Sequence, residues 1–196
     1  MGKRATILIL LLPLLALVSL AARADSADEE AVWSALKNGG YVVLIRHAVT
    51  ELGVGDLPGF EIGKCATQRN LSAQGRVDAK RIGDAFRRRA IPISEVLSSR
   101  WCRCLDTAHI AFGRASPVPM LDSMFNDREK PADEKIREVL AAIARRPALG
   151  NLILVTHNQN IQALTGVSPT SGEMVVVTPA EPGKLKLVGR LGVPSR

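Results

Sequence analysis

Aromatic side chains are scarce in this sequence of 196 residues, which holds four Phe, two Trp and one Tyr. So few flat rings leave no platform on which bases could stack, and this argues against a nucleic-acid partner. Charge of one sign is also in short supply. The formal net charge is +7, but Lys3, Arg4 and Arg23 carry three of those charges, so residues 25–196 hold only +4. A surplus that small is compatible with an anionic small molecule and does not call for a polyanion. Cysteine is limited to Cys65, Cys102 and Cys104. No C-x-x-C pair and no paired histidines occur, so the zinc spacings are missing and no metal or other cofactor is expected. There is no internal repeat, and no low-complexity tract beyond the N-terminus.

The one long apolar run lies at the start. Lys3 and Arg4 precede an apolar stretch from Ala5 to Leu20, broken by Pro13, and Ala22-Arg23-Ala24 follows. A positive start, a short apolar segment and an A-x-A site are the layout of a secretory signal peptide. The stretch is shorter than the roughly 20 apolar residues a spanning helix needs. Cleavage after Ala24 is therefore expected, with residues 25–196 forming one periplasmic or secreted domain that has no membrane span. That length suffices for one well-cored domain. Export permits a disulfide. Cys102 and Cys104 are two apart on an expected helix and point to different sides. Sequence does not fix connectivity, but Cys65–Cys102 is the expected pair, with Cys104 buried as a small hydrophobe.

Two apolar runs rich in β-branched residues stand out, Tyr41–Ile45 and Asn151–Thr156. Both read as buried strands. A short helix is expected before the first, over residues 28–38, stopped by Gly39-Gly40. A glycine-rich loop then runs from Glu51 to Asn70; a loop this long in one domain points to function. Ser72 is the expected N-cap of a second helix with Ala79, Ile82, Gly83 and Phe86 on one face. A strand over Ser94–Leu97, a helix over Arg100–Phe112 closed by Gly113, a short strand over Pro117–Met120 and a helix over Asp133–Arg145 come next. A helix over about residues 160–164 follows the second buried strand. The strands Met174–Thr178 and Leu185–Val188, joined by Glu181-Pro182-Gly183-Lys184, read as a hairpin. Strands alternating with helices predict an α/β fold, a mostly parallel mixed sheet with helices on both faces.

Three strand ends carry polar groups: Arg46-His47, Ser98-Ser99 and Thr156-His157, with Arg103 one turn into the helix after the second. Parallel strands place their C-terminal ends on one edge, where ligands bind. Two histidines and two arginines converging there suit a phosphoryl group. Its charge sits on three equatorial oxygens, and arginine forks match those oxygens. Amides opening the helix after His157, at Asn158 and beyond, add donors. A histidine between arginines is held neutral, which leaves a lone pair to attack phosphorus. The guanidinium groups supply the countercharge, so the scheme needs no metal. A cysteine nucleophile would require C-x5-R, and none of the three cysteines has an arginine six residues on.

Arg46-His47-Ala48-Val49-Thr50 resembles the R-H-G/A-x-T motif of the histidine phosphatase superfamily, in its phosphoglycerate-mutase-like branch. Leu71-Ser72-Ala73-Gln74-Gly75 resembles that branch's L-[ST]-x-x-G. The run from Ser98 to Ala108 resembles its S-S-x-x-x-R-A-x-x-T-A, and Val155-Thr156-His157-Asn158 its V-[ST]-H block. The resemblance implies a three-layer α/β/α sandwich, a phosphohistidine at His47, and phosphoryl binding by Arg46, Arg103 and His157. Thr50, Arg69 and Asn158 are further candidate substrate contacts, and Gln68 and Asn70 candidate rim residues. The signal peptide, the Thr156-His157-Asn158 block and the terminal hairpin are similar to exported members related to the lipopolysaccharide core heptose phosphatase. This implies a small-molecule or glycolipid phosphate as substrate. Nothing in the sequence sets an oligomeric state.

One block departs from the family pattern. Where many members carry a glutamate general acid in L-x-E, this chain reads Leu121-Asp122-Ser123. Asp127 is ranked first as substitute, with Asp122 and Glu129 as alternatives. The expected activity is that of an exported, metal-independent phosphomonoesterase. A non-catalytic phosphate-binding protein is the second reading.

Overall fold

The structure, a computed structural model, describes residues 28–125, 131–181 and 183–195. The signal-peptide reading of residues 1–24 and the candidates Asp127 and Glu129 lie outside those residues. Among the described residues no helix is long and apolar enough to cross a membrane.

Among the described residues six strands form one sheet: β1 (Val42–Arg46), β2 (Ile93–Ser98), β3 (Ser116–Pro117), β4 (Asn151–Thr156), β5 (Met174–Pro179) and β6 (Leu185–Leu191). Their order is β3-β2-β4-β1-β5-β6. β3, β2, β4 and β1 run parallel, whereas β5 and β6 are antiparallel additions. Five helices cover the sheet: α1 (described over residues 28–36), α2 (Ala73–Arg88), α3 (Cys102–Phe112), α4 (Ala132–Ala144) and α5 (Asn158–Thr165).

The pleat of β1 explains why its apolar run has no polar alternation. Val43 and Ile45 face one core with Trp33 and Leu36 of α1, Phe86 of α2 and Ala108 of α3. Val42 and Leu44 face the other, with Val139 and Ile143 of α4 and Ile161 of α5. A strand covered on both faces is apolar at every position. The chain is thus a three-layer α/β/α sandwich with a mixed sheet.

Strand register brings the polar ends together. Arg46 stands opposite Thr156 in the β1–β4 pair, and Ser98 opposite Val155 in the β2–β4 pair. The ladder runs one residue further, with His47 N donating to Thr156 O (3.0 Å) and Ser99 N to Val155 O (2.9 Å). α2 and α3 then brace the turn after His47. A Cβ added to Gly75 would meet Val49 O at 1.9 Å, so only glycine lets α2 approach this closely. Ser72 caps α2 by accepting from Gly75 N at 3.0 Å. Ala48 N donates to Thr107 Oγ1 (3.1 Å), whose hydroxyl donates to Arg103 O (2.7 Å). The L-[ST]-x-x-G and R-x-x-x-T motifs therefore hold the histidine turn in place.

Several boundaries differ from expectation. β3 is two residues long, and Pro119–Leu121 is a 3-10 turn. The ladder continues past Pro117, with Val118 N donating to Ser98 O (2.8 Å), and stops at Pro119, which has no N–H to give and opens the turn. α3 starts at Cys102 rather than Arg100, because Trp101 is extended (ψ 134°), and Arg100 N donates to Asp122 Oδ1 (2.7 Å). α5 begins at Asn158, directly after His157.

The loop of residues 51–70 is folded on itself, with Leu57 N donating to Thr67 O (3.0 Å) and Gln68 Nε2 to Glu61 O (3.0 Å). A disulfide joins Cys65 to Cys102 across 37 residues and ties the loop to the start of α3. Gln68 Oε1 adds a second tie by accepting from Cys102 N at 3.0 Å. Cys65→Ser is expected to cost about 2–4 kcal/mol through the freed unfolded chain. Urea unfolding, with and without reductant, measures this; an unchanged midpoint contradicts it.

Candidate active site

A cavity of about 1420 Å³ opens at the C-terminal edge of the parallel strands, and Arg46, His47, Arg69, Arg103, His157 and Asn158 all line it. Arg46, His47 and His157 come from the ends of β1 and β4, Arg103 and Asn158 from the first turns of α3 and α5, and Arg69 from the loop.

His47 is buried. Its Nδ1 lies 2.9 Å from Ala48 O. A carbonyl only accepts, so Nδ1 carries the proton and Nε2 keeps the lone pair. Burial first, then Arg103, Arg46 and Arg69, pull the His47 pKa down to about 3, against a smaller opposing effect of the Ala48 hydrogen bond. The ring is a neutral imidazole across the working pH range, which is the state a nucleophile needs.

His157 faces it, with ring centroids 5.5 Å apart. Ser99 Oγ donates to Asp122 Oδ1 (3.2 Å) and therefore accepts from His157 Nε2 (2.9 Å). Burial above all, then His47 and Arg103, hold His157 well below the ordinary histidine value. Cys104 packs beneath, its Sγ 3.6 Å from the same nitrogen. Burial pushes that thiol up to about 12, so it stays protonated.

The arginines present unsatisfied donors. Arg46 Nη1 donates to Pro169 O (2.8 Å), and Arg103 Nη1 to Asp56 Oδ1 (3.0 Å). The Nε atoms of Arg46, Arg69 and Arg103 are buried and have no partner among the described residues. One buried, unpaired donor costs about 1–3 kcal/mol. The three guanidinium groups around a neutral histidine supply the countercharge for an anion with several oxygens.

Both histidines make the fold acid-sensitive. Their folded pKa values lie below the ordinary 6.5, so the unfolded chain binds the proton first. Stability is complete above about pH 6.5 and falls as pH drops towards 3, by up to about 1.4 kcal/mol per pH unit for each histidine. His47→Gln is expected to flatten the decline in melting temperature between pH 7 and 5; an unaltered slope contradicts this.

Not every candidate reaches the cavity in the expected way. Thr50 forms an antiparallel bridge with Leu71 and is not among the lining residues. The Asn158 side chain turns to Ser168 Oγ and Pro169 O (both 2.9 Å), so it steadies the carbonyl that receives Arg46. Gln68 is spent on Cys102 and Glu61, and Asn70 Nδ2 on Cys65 O at 2.7 Å. Asp122 is fully buried and takes Arg100 Nε and Nη2 (both 2.6 Å) together with Arg100 N and Ser99 Oγ. Its oxygens are occupied by donors, which makes it an anchor for Arg100 instead of a proton donor. Lys135 Nζ (3.1 Å) and Asn160 Nδ2 (2.9 Å) fix its backbone carbonyl.

Sequence reasoning missed Asp56, Arg100 and Trp101, all at the cavity wall. Asp56 has no motif around it; Arg100 and Trp101 sit at the unspecified x positions of the S-S-x-x-x-R run.

The family model described as histidine phosphatase superfamily (branch 1) matches residues 42–131. No curated protein matches the sequence. Among solved structures, the protein histidine phosphatase SixA complexed with tungstate is similar at 16% identity and a TM-score of 0.56, covering 77% of this chain and 96% of that one. The alpha-ribazole phosphatase from Shigella flexneri is similar at 16% identity and a TM-score of 0.55, covering 75% and 94%. A mutant phosphoserine phosphatase from Entamoeba histolytica, in complex with phosphoserine, is similar at 13% identity and a TM-score of 0.57, covering 76% and 95%. The α/β/α fold and the matched segment from the Arg46-His47 strand through the Arg103 helix lead to one conclusion: over residues 42–131 the chain is similar to the histidine phosphatase superfamily, branch 1, and the similarity supports a phosphoric monoester hydrolase.

Proposed function

We propose that this protein is an exported, metal-independent phosphomonoesterase that works through a phosphohistidine at His47. The observation that carries the reading is the His47 ring itself: Nδ1 is committed to Ala48 O, so Nε2 is the free nucleophile, and three guanidinium groups surround it. Nε2 attacks phosphorus and the ester P–O bond breaks. Water then cleaves the P–N bond and releases inorganic phosphate. Arg46, Arg69 and Arg103 hold the equatorial oxygens and neutralise their charge through both steps. His157 supports the same oxygens: a dianion between the rings favours its cationic form, in contrast to the surrounding arginines.

The two similar structures solved with tungstate and with phosphoserine support an oxyanion and a phosphomonoester as ligands. The cavity is larger than a phosphoryl group needs, which supports a substrate with a sizeable alcohol part, a sugar or glycolipid phosphate. Export is supported by the layout of the first 24 residues, and N-terminal sequencing of the mature protein is expected to begin at Asp25.

The test is turnover of an activated aryl phosphate with and without chelator. Unchanged activity in chelator supports the reading; activity abolished by chelator and restored by a divalent metal overturns it. Ser123 in place of the family glutamate favours a second reading, anion binding without turnover, which predicts phosphate binding and no hydrolysis.

A further inference from the structure

The reaction above leaves an alkoxide unless a proton reaches the leaving oxygen. Three described carboxylates line the cavity: Asp56, Glu61 and Asp122. Asp122 has its oxygens filled by Arg100 and Ser99. Glu61 is turned outward onto Lys64 at 2.8 Å, with 58% of its side chain exposed. Asp56 is different. Its Oδ1 accepts from Arg103 Nη1 (3.0 Å) and from Arg69 N (2.8 Å), so it shares two of the residues that hold the phosphoryl group. Its Oδ2 makes no hydrogen bond among the described residues, and the side chain is only 23% exposed.

We propose that Asp56 is the proton donor to the leaving oxygen, taking the role that Ser123 cannot fill. The proposal rests on the phosphatase reading. In the free enzyme Asp56 is the anion that Arg103 holds. When a phosphoryl dianion arrives on the same guanidinium, two anions share one cation, and the like charge favours protonated Asp56. Oδ1 goes on accepting from Arg103 and Arg69 N while Oδ2 carries the proton. As His47 Nε2 bonds to phosphorus, the P–O ester bond breaks and its electron pair takes the Oδ2 proton, giving a neutral alcohol. Asp56 is then a carboxylate. In the second step it accepts a proton from the water that attacks the phosphohistidine, which restores the protonated acid of the substrate complex; that proton, taken up from solvent when substrate bound, returns to solvent when phosphate leaves and Arg103 holds the carboxylate again. The loop that carries Asp56 is held against α3 by the Cys65–Cys102 bond, one residue before Arg103, so acid and clamp move as one unit.

A proton donor matters only for leaving groups that need a proton. Wild type and Asp56→Asn are compared on a simple alkyl phosphate and on 4-nitrophenyl phosphate. The expected result is a fall in kcat/KM, which reports the steps up to leaving-group departure, of about 100-fold or more on the alkyl ester, with little change in kcat/KM on the nitrophenyl ester and loss of the basic limb of its pH profile. Equal losses on both esters overturn the proposal in favour of a binding or structural role. No loss, or a gain on both as an obstructing carboxylate is removed, overturns it as well. Should Asp56→Asn not fold, the wild type alone decides: across a series of aryl phosphates a shallow dependence of kcat/KM on leaving-group pKa supports a proton donor, and a steep one excludes it. Wild-type turnover of 4-nitrophenyl phosphate separates the two levels. If it is absent, the phosphatase reading falls and takes this proposal with it; if it is present, only the Asp56 role is at stake.

Discussion

Replacing His47 with alanine is expected to lower kcat on any phosphomonoester by at least about 10⁴-fold, the scale on which loss of a covalent nucleophile is felt. No other described side chain at the site can substitute. The Cys104 thiol stays protonated at neutral pH and is fully buried. His157 Nε2 is committed to the Ser99 hydroxyl, which in turn is tied to Asp122. Ser99 itself has no base free to take its proton. The arginines remain in the variant, so its affinity for inorganic phosphate is expected to stay within several-fold of wild type. Steady-state kinetics and phosphate titration measure the two quantities separately. A variant that keeps more than about 1% of the wild-type kcat contradicts a nucleophilic role for this ring.

Arg103→Ala is expected to have the next largest effect, a loss of about 10²–10³-fold in kcat/KM, comparable with removing one preorganised donor from an oxyanion site. Arg103 is nearly buried, with 5% of its side chain exposed, and it lies beside Asp56, Trp101 and the His47 ring. Lysine at this position is expected to recover little. An ammonium is a point charge, and it cannot bridge Asp56 and a phosphoryl oxygen with a planar fork. Removing Arg103 also leaves Asp56 with only Arg69 N of its two donors, so both the clamp and the adjacent acid are disturbed. Kinetics of Arg103→Ala and Arg103→Lys on one aryl phosphate test this; full recovery in the lysine variant contradicts a requirement for the fork.

The elements that were legible in the sequence are those whose signal is local. β4 matches its expected span because Asn151–Thr156 is buried at every residue, so apolar character alone marks it. Ser72 was readable as an N-cap because capping needs only one side chain and its own helix. The convergence of Arg46, His47, Arg103 and His157 followed from parallel topology, since strand ends share an edge. The disulfide followed from the expectation of export and from the unsuitable spacing of Cys102 and Cys104. What was not legible depends on contacts between distant segments. Nothing local says that Arg100 would occupy Asp122 from 22 residues away, or that Asp56 would cross to Arg103 over 47. Thr50 looked like a ligand because it closes the R-H-A-V-T motif, but its place opposite Leu71 depends on where α2 begins. The strand expected over Pro117–Met120 ends at Pro117, because Pro119 has no N–H to give and opens a 3-10 turn.

The central claim is that His47 carries the phosphoryl group. Rapid mixing with a ³²P-labelled phosphomonoester followed by quenching tests it most directly. The account predicts a labelled protein whose phosphate survives alkali and is lost in mild acid, as a phosphoramidate is, with the label on the peptide that contains His47 and absent from His47→Ala. Steady turnover with no labelled protein at any time, or with label that resists acid and maps elsewhere, would contradict it.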